Sequence, residues 1–288
     1  MEHLPGFAPL AAHYDGFVLD LWGVIHDGIN AFPHAVDCLR SLRAAGKRTL
    51  LLSNVPRPNT AVQAMMRRMG IADDLYTHLL TSGEAVRQAL IDPPDLWWAQ
   101  LGRHVFHLGP ERDLPILDGL PLDRVEAPSQ ADFVLNTGPD DHRNPSDIAE
   151  FETVLQDCAR HLLPMICANP DLEVIRGGVR VLCAGALALR YQMLGGDVRS
   201  LGKPDPAIYQ PVLEKLDLPP ARVLAVGDAL RTDVTGAAGV DLDACWVLGG
   251  LHAANLLRPD GSFDTAKAEA EAREAGLSPV ATIPRFAW

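Results

Sequence analysis

Four short segments bring together residue types that could handle a phosphate group. Asp20, in Asp20-Leu21-Trp22-Gly23-Val24, is a carboxylate able to act as a nucleophile. Attack of a carboxylate on phosphorus forms an aspartyl-phosphate and divides one difficult step into two. Ser53-Asn54 offers a hydroxyl and an amide as donors to phosphate oxygens. Lys203, in Gly202-Lys203-Pro204, supplies a cation to neutralise charge on a transferring phosphoryl group. Gly227-Asp228, with Asp233 five residues later, adds two carboxylates. Asp20 and Asp228 together would hold Mg²⁺, which takes few carboxylates and keeps waters for the phosphate. Asp233 either orients those waters or pairs with Lys203.

Each segment alone has an ordinary structural explanation. Asp20 suits a turn, Ser-Asn suits another, a lone Lys is usually solvated, and Asp233 suits a helix N-terminus for its dipole. Their positions along the chain change the weighting, because each follows or ends a short apolar run. Gly16–Asp20, Thr49–Ser53 and Val223–Val226 read as buried strands, and polar residues at such ends reach the rim of a sheet where ligands bind. Between the strands the apolar spacing turns helical. Pro33 opens a helix carrying Val36, Leu39 and Leu42 on one face, and further helices are predicted over 60–69, 207–216, 232–238 and 265–275. From about Ile91 to Gly196 the texture shifts to short Pro- or Gly-bounded pieces, with strands at 105–108, 133–136 and 165–168 and helices near 148–160 and 184–194. The predicted class is therefore α/β, a doubly wound parallel-sheet core interrupted by a second α/β unit. The boundaries fall at 1–84 and 197–288 for the core and 85–196 for the insert.

Composition narrows the partners. A formal charge of −12 lacks the basic face that nucleic acid needs, so positive charge for phosphate must be concentrated locally. No stretch approaches the roughly 20 apolar residues of a membrane span, and the N-terminus shows no signal-peptide pattern. Cys38, Cys158, Cys167, Cys183 and Cys245 are scattered and odd in number, which reads as core thiols in a reducing compartment. A cytoplasmic protein without membrane or nucleic-acid partners is expected.

With these segments in this order, the chain resembles the haloacid-dehalogenase-like (HAD) phosphohydrolases, whose four motifs match Asp20, Ser53, Lys203 and Asp228 with Asp233. Ala168-Asn169-Pro170-Asp171 and Gly185-Ala186-Leu187 inside the insert resemble the type IIA, NagD-like subclass. The resemblance implies a Rossmann-like core, a large α/β cap, and Mg²⁺-dependent hydrolysis of a small phosphorylated substrate. It also implies that Asn169 and Asp171 belong to the cap loop over the substrate, although an Asn-Pro turn explains them equally well. Trp97 and Trp98 read first as packing residues, with a substrate wall or a cap–cap contact of a homo-oligomer as alternatives.

One departure stands out. The family's first motif usually carries a second Asp at the position of Trp22, which lends its backbone carbonyl to Mg²⁺ and its carboxyl to the leaving group. Trp22 keeps the carbonyl and loses the acid. His26 or Asp27, in the same loop, is the nearest substitute, though a loop His bonded to backbone is commoner. The loss keeps open a protein that binds a phosphorylated ligand without turnover. A dehalogenase is the third reading, opposed by retention of Asp228 and Asp233. Arg57 either reaches substrate or faces solvent. Lysine is absent between Lys47 and Lys203, so arginine would have to meet any second anionic group on the substrate.

Overall fold

The computed structural model describes residues 1–176 and 179–288. Its strands, in chain order, are β1 (Glu2–His3), β2 (Gly16–Leu19), β3 (Arg48–Ser53), β4 (His78–Thr81), β5 (His104–Leu108), β6 (Asp123–Val125), β7 (Phe133–Asn136), β8 (Met165–Cys167), β9 (Glu173–Arg176), β10 (Val179–Leu182), β11 (Val198–Ser200), β12 (Val223–Gly227), β13 (Asp243–Val247) and β14 (Ala281–Ile283). The chain divides into two compact units. The first holds Met1–Ser53, Gln63–Leu80 and Lys203–Trp288, and the second holds Asn54–Val62 and Thr81–Gly202.

The first unit is built on a seven-stranded sheet ordered β1-β14-β13-β12-β2-β3-β4. β2 pairs in parallel with β3 on one side and β12 on the other. Strands β2 and β12 are buried along their whole length, as expected when helices cover both faces of a parallel sheet. The Pro33–Ala44 helix has Pro in its first turn and buries Val36, Leu39 and Leu42. Phe7 packs edge-on against both Phe17 and Phe286, so a short helix at Ala8–His13 and the final residues close one end of this core. Sequence periodicity missed that helix, because six residues are too few to show a period.

The second unit contains a five-stranded parallel sheet ordered β11-β8-β7-β5-β6 and an antiparallel pair, β9 with β10. Two apolar clusters form its core. One surrounds Phe151, Leu155, Leu187 and Tyr191, and the other surrounds Val86, Trp98, Phe133 and Ile166. Trp98 is buried, while Trp97 donates its indole N–H to Asp197 at 2.5 Å and lies under the Arg199 guanidinium. Both tryptophans thus serve packing within this unit. Its limits differ from the sequence boundaries: it takes in Asn54–Val62 and begins at Thr81, and it runs on through Gly202, because β11 pairs with β8. The predicted helix over 148–160 is a 3₁₀ turn, Ile148–Phe151, followed by an α-helix, Glu152–Arg160. The one over 232–238 begins as a π-turn at Leu230–Val234 and becomes α-helical only at Thr235–Ala238.

All five cysteines are buried free thiols. No helix among the described residues is long and apolar enough to cross a membrane.

Candidate active site

Strand order in the first sheet reverses between β2 and β12, and a doubly wound sheet opens a ligand crevice at the carboxyl ends of such a pair. β2 ends at Leu19 in register with Val226. The backbone N–H of Asp20 then donates to the Val226 carbonyl at 2.9 Å, which holds Asp20 level with the Gly227-Asp228 turn.

Lys203 lies between two of the acids. Its ammonium donates to Asp20 Oδ1 and to Asp233 Oδ1, each at 2.6 Å, and all three side chains are nearly sealed from solvent. Asp233 also accepts the Ala229 N–H on Oδ2 at 3.1 Å. The two alternatives for Asp233 thus resolve toward Lys203, since both its oxygens carry hydrogen bonds. Its carboxyl is pressed against Gly227, where an added Cβ would lie 2.0 Å from Asp233 Cγ. That approach is why glycine precedes Asp228.

Asp228 is buried beside Asp20 and Asp233. Desolvation first, and then the charges of Asp20 and Asp233, push its carboxyl well above the usual range. One oxygen from each of Asp20, Asp228 and Asp233 falls within 4.8 Å of the others. Lys203 offers one positive charge against three acids, and ionising all three leaves the cluster short of positive charge. An uncompensated buried charge costs several kcal/mol, so the cluster favours a further cation. Hard carboxylate oxygens suit Mg²⁺ or a similar ion, and the donor set therefore fits the metal inferred from the sequence.

Ser53 closes β3 as a buried residue beside β2. Asn54, Asn169 and Asp171 form one hydrogen-bonded set in the second unit. Asn54 Nδ2 donates to Asp171 Oδ1 at 2.9 Å, and the Asp171 N–H donates to Asn169 Oδ1 at 3.1 Å. Gly185 permits this turn, since a Cβ there would sit 2.4 Å from the Pro170 carbonyl oxygen. Asn169 is therefore an Asx-turn residue, as the Asn-Pro pattern suggests.

Trp22 is half-buried, and its ring lies on Gly28. A Cβ on Gly28, whose φ is +87°, would come 2.2 Å from the far edge of the indole. His26 is fully buried, meets the indole edge-on at 5.6 Å, and accepts the Gly28 N–H on Nδ1 at 3.0 Å. An acceptor Nδ1 places the ring proton on Nε2. Asp27 accepts backbone N–H groups from Asn30 and Ile29 at 2.6 and 2.8 Å, and the Asn30 bond in particular holds its carboxyl below the usual range. Asp27 thus stays ionised at neutral pH and is a poor proton donor. It serves as the turn's carboxylate.

Arg57 neither faces bulk solvent nor stands alone, because its Nε lies 3.4 Å from Asp113 Oδ1 in the second unit. The sequence gives no hint of that pairing. Trp246 was also missed: its indole N–H donates to the Asp228 carbonyl at 3.0 Å. It reads as one more apolar residue of a strand, and nothing in its spacing marks it.

Residues 17–121 match the family described as haloacid dehalogenase-like hydrolase, and residues 200–269 match one described as HAD-hydrolase-like. Chronophin from Bos taurus is 31% identical over 249 residues, spanning 81% of this chain and 81% of its own. A haloacid dehalogenase-like hydrolase from Brucella suis is 35% identical, with a TM-score of 0.83 over 98% of this chain and 99% of that one. Glycerol phosphate phosphatase from Mycobacterium tuberculosis, solved in complex with magnesium, is 25% identical with a TM-score of 0.59 over 84% of this chain and 70% of that one.

Proposed function

The chain belongs to the haloacid dehalogenase-like superfamily as a phosphatase of its type IIA, NagD-like subclass, and from that premise we propose that it hydrolyses a small phosphorylated metabolite with Mg²⁺ through an aspartyl-phosphate on Asp20. The observation that carries this reading is the buried Asp20–Lys203–Asp233 bridge with Asp228 beside it at the strand ends. A hydrolase is favoured over a binding protein without turnover, because the relatives include phosphatases and Asp20, Lys203, Asp228 and Asp233 are gathered in one cluster.

Asp20 attacks phosphorus with one carboxylate oxygen, and the bond from phosphorus to the leaving oxygen breaks. Water then attacks the aspartyl-phosphate, releasing inorganic phosphate and restoring Asp20. Lys203 neutralises charge on the phosphoryl oxygens while keeping Asp20 in place. Asp233 acts through Lys203, fixing the ammonium between the two acids. Ser53 donates its hydroxyl to a phosphate oxygen. Asp20, Asp228, the Trp22 carbonyl and the charge of Asp233 would hold Mg²⁺, which supplies Lewis-acid neutralisation of the phosphoryl group when bound. The second unit, with Asn54, Asn169 and Asp171, serves as the cap that selects the substrate.

Trp22 shapes the kinetics. Its indole has no useful acid–base range, and general acid help is typically worth about 10² to 10⁴ in rate. Aryl phosphates, whose leaving group departs as an anion, should therefore outpace alkyl phosphates such as glycerol phosphate, the compound named in one relative. The test is phosphate release from both classes, with Mg²⁺ and with chelator, beside Asp20→Asn. Mg²⁺-dependent release that disappears in Asp20→Asn is the expected result. Release equal to the Asp20→Asn background on every substrate would sink the proposal.

A further inference from the structure

The carboxylate of Asp228 is held on one side only. Its Oδ2 accepts the Leu251 N–H at 2.7 Å. Two glycines close against the same oxygen: a Cβ would lie 2.1 Å from Oδ2 at Gly23 and 1.9 Å at Gly250. Oδ1 accepts no hydrogen bond among the described residues. The main chain is fixed separately, with the Asp228 carbonyl accepting the Trp246 indole N–H at 3.0 Å.

Trp246 is itself locked. It is fully buried on β13, paired in register with Gly227, the last residue of β12, which Asp228 follows. His252 meets its ring edge-on at 5.2 Å and 89°, and His252 Nδ1 lies 3.2 Å from Glu271 Oε2 on the Thr265–Glu274 helix. A contact chain thus runs from that helix through His252 and Trp246 to the Asp228 backbone. Indole N–H is a donor without acceptor capacity or charge, so it can fix the carbonyl without altering the cluster's electrostatic balance.

We propose that Trp246 and the Gly250-Leu251 turn are positioning elements that make Asp228 a one-oxygen ligand, presenting Oδ1 to the cation while Oδ2 stays bound to backbone. The inference rests on the metal-dependent reading above and adds residues that take no part in the chemistry. Positions that orient a metal ligand without touching the metal typically change affinity about 10–100-fold when altered. Trp246→Phe removes the donor and keeps an aromatic ring in the core, so any cost of the smaller ring appears in thermal stability, apart from metal affinity.

The test is Mn²⁺ binding to the substrate-free protein, read by electron paramagnetic resonance, for wild type, Trp246→Phe and Asp228→Asn. Trp246→Phe should bind Mn²⁺ about 10–100-fold more weakly, with kcat recovered at saturating metal. A merely structural role would lower thermal stability and leave Mn²⁺ affinity unmoved. Unchanged affinity in Trp246→Phe, with binding lost in Asp228→Asn, overturns this inference and leaves the metal site standing. Wild-type affinity in Asp228→Asn removes the metal reading and this inference with it. Should Trp246→Phe fail to fold, Gly250→Ala asks the same question, because its methyl group must displace Oδ2. At least tenfold weaker Mn²⁺ binding is expected there, and unchanged affinity again overturns the inference.

Discussion

Both units carry a parallel sheet whose strand order reverses once, and both place polar side chains at the reversal, yet the two clusters differ in charge. In the first unit, between β2 and β12, one ammonium bridges two buried carboxylates, Asp20 and Asp233, with the buried Asp228 beside them. In the second, between β5 and β7, one cation faces one carboxylate beside neutral polar groups. His107 Nε2 lies 2.9 Å from Thr137 Oγ1, and Arg57 Nε lies 3.4 Å from Asp113 Oδ1. Asn136 donates to the Ala184 carbonyl at 2.9 Å and accepts the Gly138 N–H at 3.1 Å. The same topology therefore gathers an excess of acidic groups in one unit and a charge-balanced set in the other. Topology decides where polar residues gather, and the charge left over decides whether the place calls for an ion.

The largest effect should come from removing the cation that partly balances the first cluster. Lys203→Met would leave Asp20 and Asp233 without their ammonium, and breaking a buried pair from one side costs about 3–5 kcal/mol. Turnover should fall by about 10²–10³, the scale of losing one charge-stabilising donor. Chemical denaturation and phosphate release check the two numbers. A stable, active Lys203→Met protein would break the contrast between the units.

The second cluster should respond to pH through two opposed groups. Burial lowers the His107 imidazole to about 4 and raises the Asp113 carboxyl to about 6. A depressed His contributes stability that is present above its unfolded value near 6.5 and lost as pH falls through about 4. The raised Asp has the opposite sign, contributing stability below its unfolded value near 3.8 that is lost as pH rises through about 6. His107→Gln removes the first contribution alone. Acidification from pH 7.5 to 4.5 should then cost about 2–3 kcal/mol less than in wild type, as read from urea midpoints. Equal acid sensitivity in both proteins would show that the network does not depend on a neutral imidazole.

Thr137→Val should have the smallest effect. Loss of the buried hydroxyl that partners His107 costs about 1–3 kcal/mol through the imidazole nitrogen left behind. Mn²⁺ binding should stay at the wild-type level, because Thr137 belongs to the other cluster. Thr137→Ser should recover most of the stability, which thermal unfolding would record.

Much of this was legible in the chain. Apolar runs ending in Asp20, Ser53 and Gly227 specify buried strands and the polar groups at their ends, because a strand covered on both faces tolerates polarity only at its rim. Pro33 and the 3.6-residue spacing after it specify a helix start and a buried face. Short elements such as β1, β6 and β14 were not legible, because two or three residues carry no period. The part Asp27 plays in closing its turn was not legible, because its backbone donors arise only when the loop closes.

The sequence by itself determined which residues carry the chemistry, in what order, and on which kind of element, since local apolar pattern and motif chemistry are readable one segment at a time. The tertiary structure alone decided how they pair. Lys203 reaches Asp20 across 183 residues of chain, and Trp246 was joined to the Asp228 carbonyl only when β13 paired with β12. Hydrogen bonds and buried charge depend on distances of a few ångströms between remote segments, and no local pattern encodes those.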